Sequence, residues 1–325
     1  MKKIKERGYQ VTFDVLKIIG LLCIIFAHAD PSPFWLQLRN FDVPLMVMIS
    51  VWLSLKTINQ TNFNYRVFIK KRFKRLVIPT WGFLILFFLL QNLFFQKYYD
   101  FKTVIDSFLL LKGIGFIWVV RIYLTISMIL PLLKSTQRWS HLKVIVIGIF
   151  WYVIYQWFVT IDLGLSPDTK TLVEALLFDT MGYGFIAYLT IWISRLSHKQ
   201  ILWIASLFGV IYLVMGCQNG FLPTQRFKYP VQLYYLSYSF WIGLTLYAVC
   251  DGLEKKEWLK PNNVYRWVSH YSLELYLWHV VSLLCLRNFA WFQELVMWPK
   301  FILLIVLTLL LTYLQQVFKK QITKK

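Results

Sequence analysis

The chain has 325 residues, of which 58% are hydrophobic, 19% aromatic and only 15% charged, with a formal net charge of +20. So apolar a composition excludes an ordinary soluble domain, and the mean hydropathy of +0.56 indicates an integral membrane protein. Continuous apolar runs such as FILLIVLTLLLTYL exclude a membrane β-barrel, whose strands alternate apolar and polar residues.

The expected fold class is therefore all-α, a polytopic helical bundle with about ten transmembrane helices in a single domain, 1–325, and no appended soluble domain. Runs of bilayer-crossing length place the spans at 11–29, 41–57, 76–96, 114–133, 144–161, 175–194, 200–216, 231–250, 268–286 and 299–318. The stretch FKTVIDSFLLLK at 101–112 is too short to cross and is expected along the interface. The first apolar segment carries internal charges and no small-residue cleavage site, so it is not read as a signal peptide.

With the N-terminus inside, 24 of the 35 Lys and Arg residues fall on inner segments and nine on outer ones, while Lys17 and Arg121 lie within spans. That bias predicts both termini on the cytoplasmic side. The positive charge then sits at helix ends, where membrane lipids are its partners and no nucleic acid is needed. Low Gly and Pro with abundant Lys, Ile and Phe fits a bacterial cytoplasmic membrane. The four cysteines form no CxxC pair and the five histidines no HExxH cluster, so neither a disulfide framework nor a metal site is expected. GYG at 182–184 reads as close helix packing.

Chemistry concentrates in the first span. FDVLKIIGLLCIIFAHADPSPFW places Asp14, Lys17 and His28 within a stretch that hydrocarbon would otherwise surround. At 100° per residue, Lys17 and His28 differ by about 20° around the helix, and Asp14 lies within about 60° of Lys17. At 1.5 Å per residue, Lys17 and His28 stand about 16 Å apart along the axis. One polar face results, and ionisable residues within a span are functional candidates. Asp14 and Lys17 have a second reading as a neutralising pair one turn apart, with Lys17 snorkelling to the inner headgroups.

Other spans add polar residues. Arg121 lies mid-span in WVVRIYLTIS and is expected either to pair with Glu274 or to stabilise an oxyanion, a structural ion pair being the alternative. Glu274 and His279 are about 140° apart on one helix, so they cannot share a small site: His279 groups with Tyr276 and Ser272, Glu274 with Trp278 and Ser282. Asp30 either orients the His28 imidazole or serves as a turn residue before Pro31. Tyr234, Tyr235 and Tyr238 are candidates for sugar stacking near the outer end of their span.

FDVLKIIGLLCIIFAH, NFDVPLMVMISVWL, KKRFKRLVIP, FIWVVRIYLTISMILPLL and YSLELYLWHV, in this order, resemble the membrane-bound acyltransferase 3 family from about residue 10 to 320. The resemblance assigns the family's basic residue and the histidine that follows it after ten intervening residues to Lys17 and His28, and its Arg-x-x-Arg pair to Arg72 and Arg75. Lys17 replaces the commoner Arg, and Val51 stands where a Gly often follows Ser50. It implies acyl-CoA, commonly acetyl-CoA, as donor and a hydroxyl of a surface glycan, glycolipid or other envelope acceptor, with other envelope-polysaccharide proteins as partners and no metal.

Acyl transfer from a thioester to an alcohol needs a base, a place for the donor's phosphates and stabilisation of the oxyanion. His28 is the expected base. Arg72 and Arg75, with Lys71 beside them in KKRFKR, are the expected grip on the CoA diphosphate, and plain topology-setting charge is their alternative reading. Asp30, Glu274 and His279 are the candidate substrate contacts. The competing class is a transporter or flippase, against which stand the absence of an inverted repeat and of paired broken helices.

Overall fold

A computed structural model describes residues 10–162 and 164–322 of the chain. Lys2, Lys3, Lys5, Arg7, Lys324 and Lys325, counted above among the inner charges, lie outside the described residues. The helices are α1 (Val11–Ala27), α2 (Pro33–Leu38), α3 (Asp42–Ile58), α4 (Tyr65–Phe95), α5 (Phe101–Phe108), α6 (Trp118–Leu133), α7 (His141–Thr160) and α8 (Pro167–Val173). They continue with α9 (Asp179–Ile193), α10 (His198–Gln218), α11 (Leu233–Lys255), α12 (Asn263–His270), α13 (Ser272–Leu286), α14 (Ala290–Glu294) and α15 (Met297–Ile322). There is no strand among the described residues, and the fold is an all-α polytopic bundle.

Eight helical segments are long and apolar enough to cross a membrane, built on α3, α4, α6, α7, α9, α10, α11 and α15. The expected first and ninth spans correspond to α1 and α13, which have only 17 and 15 residues. Both are sheathed by other helices: α1 packs on α3, α11, α12 and α13, and α13 on α4 and α15. A helix surrounded by protein need not match the hydrocarbon thickness, because its polar ends meet side chains instead of lipid. The apolar windows of the α2–α3 segment, α9 and α11 are 72%, 61% and 61% buried, against 17%, 22% and 17% for α7, α10 and α15, so the former line the interior and the latter face lipid.

Local chemistry accounts for boundaries the apolar pattern misplaced. The third span was expected to begin at 76, but α4 begins at Tyr65, where the Asn64 side chain accepts from the Val67 N–H at 3.1 Å. The cluster KKRFKR is therefore helical, with side chains at fixed angles. The expected span 268–286 is two helices broken at Tyr271. Pro33 opens α2, a short helix the apolar pattern did not suggest. At the start of α1, Glu254 of α11 accepts from the backbone N–H groups of Val11 and Thr12 at 3.0 and 2.9 Å and from the Thr12 hydroxyl at 2.6 Å. A carboxylate thus satisfies orphan donors at the positive end of the helix.

A Cβ added at Gly182 would come within 3.0 Å of the Tyr155 hydroxyl, and one at Gly184 within 3.2 Å of Ile129, so the GYG segment permits close helix approach. All four cysteines are free thiols. Tyr234, Tyr235 and Tyr238 are core residues, at most 4% exposed. Tyr234 stacks on Tyr212, and Tyr238 donates to the Leu38 carbonyl at 2.9 Å, so these three candidates for sugar stacking are packed within the bundle.

Candidate active site

Lys17, Leu21, Ile24 and His28 are spaced four, three and four residues apart, which puts them in one row along α1 and its C-terminal cap. Ser272, Tyr276 and His279 form the corresponding row on α13, at spacings of four and three. Lys17, Leu21 and Ile24 of the first row and Ser272 and Tyr276 of the second line a cavity of about 370 Å³ that α3, α4 and α6 close, and His28 and His279 lie at the ends of the rows, beyond its lining. Lys17, Arg72 and Arg75 all line it, as do Tyr123 of α6 and Tyr276. The volume is within the usual range of small-molecule sites.

Polar contacts fix the basic end. Arg72 donates to the Ser54 hydroxyl at 2.6 Å, and Ser54 in turn donates to the Ser50 carbonyl at 2.5 Å. Its guanidinium also lies 5.1 Å from the Phe68 ring centroid. Lys17 donates to Ser269 of α12 at 3.1 Å, and the charges of Asp14, Arg75 and Arg72 act on it. Three cations at one mouth make an anion-binding end. Lys71, one position before Arg72 and so turned by 100°, is exposed and stands outside these walls.

At the other end, the His28 and His279 rings stack at 5.5 Å between centroids, 24° from parallel. Phe116 meets His28 edge to face at 5.0 Å, and the Tyr276 hydroxyl donates to the Phe116 carbonyl. His279 is fully buried, and among the described residues neither ring nitrogen makes a well-formed hydrogen bond, the Tyr276 backbone being the one hydrogen-bonding group that acts on the ring. A buried imidazole left in that condition costs about 1–3 kcal/mol, and such groups concentrate where a ligand completes the site.

Beside this pair stands a cluster that sequence reasoning missed. Arg39, at the end of α2, donates to Asp42 at 2.7 Å, and Asp42 opens α3 with its other oxygen accepting from the Val43 N–H at 2.7 Å. Lys228 is 4% exposed, 4.0 Å from Asp42, and lies within 6 Å of the Trp118, Tyr229 and Tyr235 ring centroids. Burial pushes the Lys228 ammonium down to about 8 against the pull of Asp42, and the like charge of Arg39 adds to the push. Two cations against one carboxylate leave a positive excess, and the charges of Arg39, Arg287 and Lys228 all act on His28. The signals were present as Asp42 in NFDVP and as two basic residues counted only as outer-loop charges. Nothing local joined them.

The remaining candidates fall elsewhere. Asp14 is buried on α1 one turn before Lys17. Asp30 does not engage the imidazole: it has a φ of 54° and accepts from Lys300 of α15 at 2.7 Å, tying the turn after His28 to the last helix. Glu274 lies on the α13 face that carries Trp278, whose indole donates to Gln315 of α15 at 2.9 Å, away from the His279 row. Arg121 does not pair with Glu274. Its guanidinium donates to Asp179 of α9 and to the Leu110 carbonyl, both at 2.7 Å, and it lines a second cleft instead of the cavity between Lys17 and Tyr276.

The two helix rows, the cationic mouth and the stacked histidine pair gather ionisable groups at and beyond one cavity of a membrane bundle. The family model described as acyltransferase domain matches residues 11–315, nearly the whole chain. The chain belongs to this family and is a membrane acyltransferase. Comparison with curated proteins and with solved structures gives no match.

Proposed function

We propose that the protein transfers an acyl group, typically acetyl, from acyl-CoA to a hydroxyl of an envelope glycan at a bacterial cytoplasmic membrane, with both termini on the cytoplasmic side. The observation that supports this is the cavity between the α1 and α13 rows, which begins at Lys17, Arg72 and Arg75 and reaches Tyr276, one turn from His279. Its cationic mouth suits the CoA diphosphate, and its apolar middle, with Leu21, Ile24 and Ile49, suits the uncharged pantetheine arm. Bound there, acyl-CoA supplies a thioester whose C–S bond breaks as the acceptor oxygen bonds to the carbonyl carbon.

His28 takes the acceptor's hydroxyl proton and returns it to the departing thiolate, so the products are the ester and free CoA. The positive excess of Arg39 and Lys228 over Asp42 stabilises the oxyanion that forms beside His28. The His279 nitrogens, which make no well-formed hydrogen bond among the described residues, offer one to the reacting group. Arg72 is held in place by Ser54 before any ligand arrives, so less ordering is required on binding.

Release of free CoA by the purified protein in lipid tests the reading. Release that needs donor and acceptor together supports it. Movement of a saccharide across the bilayer without CoA turnover would overturn it in favour of a carrier.

A further inference from the structure

On the other side of α6 from the His28 cavity lies a cleft of about 970 Å³, walled by the α5–α6 link, the end of α7, the π-helical turn Glu174–Phe178 and the segment before α11. Its charges balance: Lys112, Arg121 and Lys170 face Asp162, Glu174 and Asp179. Two of those pairs are closed, Arg121 with Asp179 at 2.7 Å and Lys112 with Glu174 at 3.3 Å. Such a wall has no net field to draw in a polyanion. It does present planar donors and acceptors suited to hydroxyl groups, together with the rings of Trp118 and Tyr229, which meet edge to face at 5.2 Å.

The cleft adjoins the reacting histidine through one short segment. Gly115 and Trp118 line it, while Phe116 between them meets His28 edge to face and its carbonyl accepts from the Tyr276 hydroxyl. Gly115 has a φ of 84°, which favours glycine, and a Cβ there would meet nothing within 4 Å, so the backbone at this point borders open space. Lys228 lies behind the same wall, over the Trp118 and Tyr229 rings.

We propose that this cleft is the acceptor subsite and that it takes an uncharged, hydroxyl-rich saccharide, held by Trp118, Tyr229, Gln156 and the Arg121–Asp179 pair, with one hydroxyl presented past Phe116 to His28. The assignment rests on the acyltransferase reading above and adds to it the place and charge class of the acceptor. Arg121 thereby becomes a saccharide contact and not an oxyanion donor.

The test is direct binding, without CoA, to the full chain in lipid nanodiscs. The probe is the host envelope's saccharide extract, treated with base to remove ester groups, tritium end-labelled and divided by anion exchange into uncharged and anionic fractions. Equilibrium dialysis against wild type, Trp118→Ala and Gln156→Ala is expected to show the uncharged fraction bound by wild type and at least ~10-fold weaker in both variants. Unchanged CoA affinity in the variants shows that they fold. Preference for the anionic fraction, equal affinity in wild type and variants, or no saccharide binding by wild type would each overturn the proposal. CoA binding, read on the same samples, judges the acyltransferase reading separately: its loss in wild type would refute that reading and leave the saccharide result standing.

Discussion

The imidazole of His279 lies 5.5 Å from that of His28 and 24° from parallel, and among the described residues neither nitrogen makes a well-formed hydrogen bond although no part of the ring meets solvent. A group kept buried and unsatisfied trades stability for function. His279→Leu, which keeps the volume and removes both nitrogens, is expected to raise the melting temperature while lowering kcat at least ~10-fold. A thermal melt beside a transfer assay checks both. Full activity would make the stack mere packing.

Arg72 is the mouth residue with a fixed geometry, through Ser54. Arg72→Ala is expected to weaken CoA binding by roughly 10- to 100-fold, the worth of a charge-assisted hydrogen bond, and the loss should shrink in high salt. Lys71→Ala, at an exposed position outside the cavity walls, should change CoA affinity less than ~2-fold. Equal losses for the two would show that the mouth reads only overall charge.

Lys228 links activity to pH with a definite sign. Its ammonium titrates near 8 in the folded chain, below its ordinary value, because of burial. The unfolded chain therefore binds more protons between about 8 and 10.5, so this group's contribution to stability rises with pH across that window. The positive charge offered to the oxyanion is lost over the same range, and transfer is expected to fall as pH passes 8. In Lys228→Arg, whose guanidinium stays charged, the alkaline fall should move upward. An unshifted profile would remove Lys228 from the chemistry.

In the Arg121–Asp179 pair the guanidinium is buried and the carboxylate half-buried, at 6% and 16% side-chain exposure. Arg121→Ala strands the Asp179 carboxylate and is expected to cost about 3–5 kcal/mol of stability, whereas Arg121→Met with Asp179→Leu should recover most of it. Denaturation of the single and double variants measures the difference. A double variant as unstable as the single one would contradict this account of the pair.

These contacts mark the limit of what the sequence discloses. Spacing alone placed Lys17 and His28 on one face and separated Glu274 from His279, because both are consequences of the helical period within one element. It also located eight spans through continuous apolar runs. The partners of Arg121, Asp30 and Lys17 were not legible. Asp179, Lys300 and Ser269 are 58, 270 and 252 residues away in the chain, and local pattern carries no information about contacts at that separation. The Arg39–Asp42–Lys228 cluster escaped for the same reason, since two of its members looked like ordinary loop charges. The start of α4 was misplaced because its first turns are basic, and apolar content says nothing about a helix that begins outside the hydrocarbon.

His28, at the end of the α1 row, is the residue on which the proposed acyl transfer depends. The most direct measurement is transfer of radiolabelled acetyl from acetyl-CoA into the envelope saccharide pool by the purified full chain in lipid, wild type beside His28→Ala, with CoA affinity measured on both. The account predicts transfer lowered by roughly 10²–10⁴-fold in the variant, the usual worth of a positioned base, with CoA affinity unchanged. Equal transfer by the two proteins would contradict it.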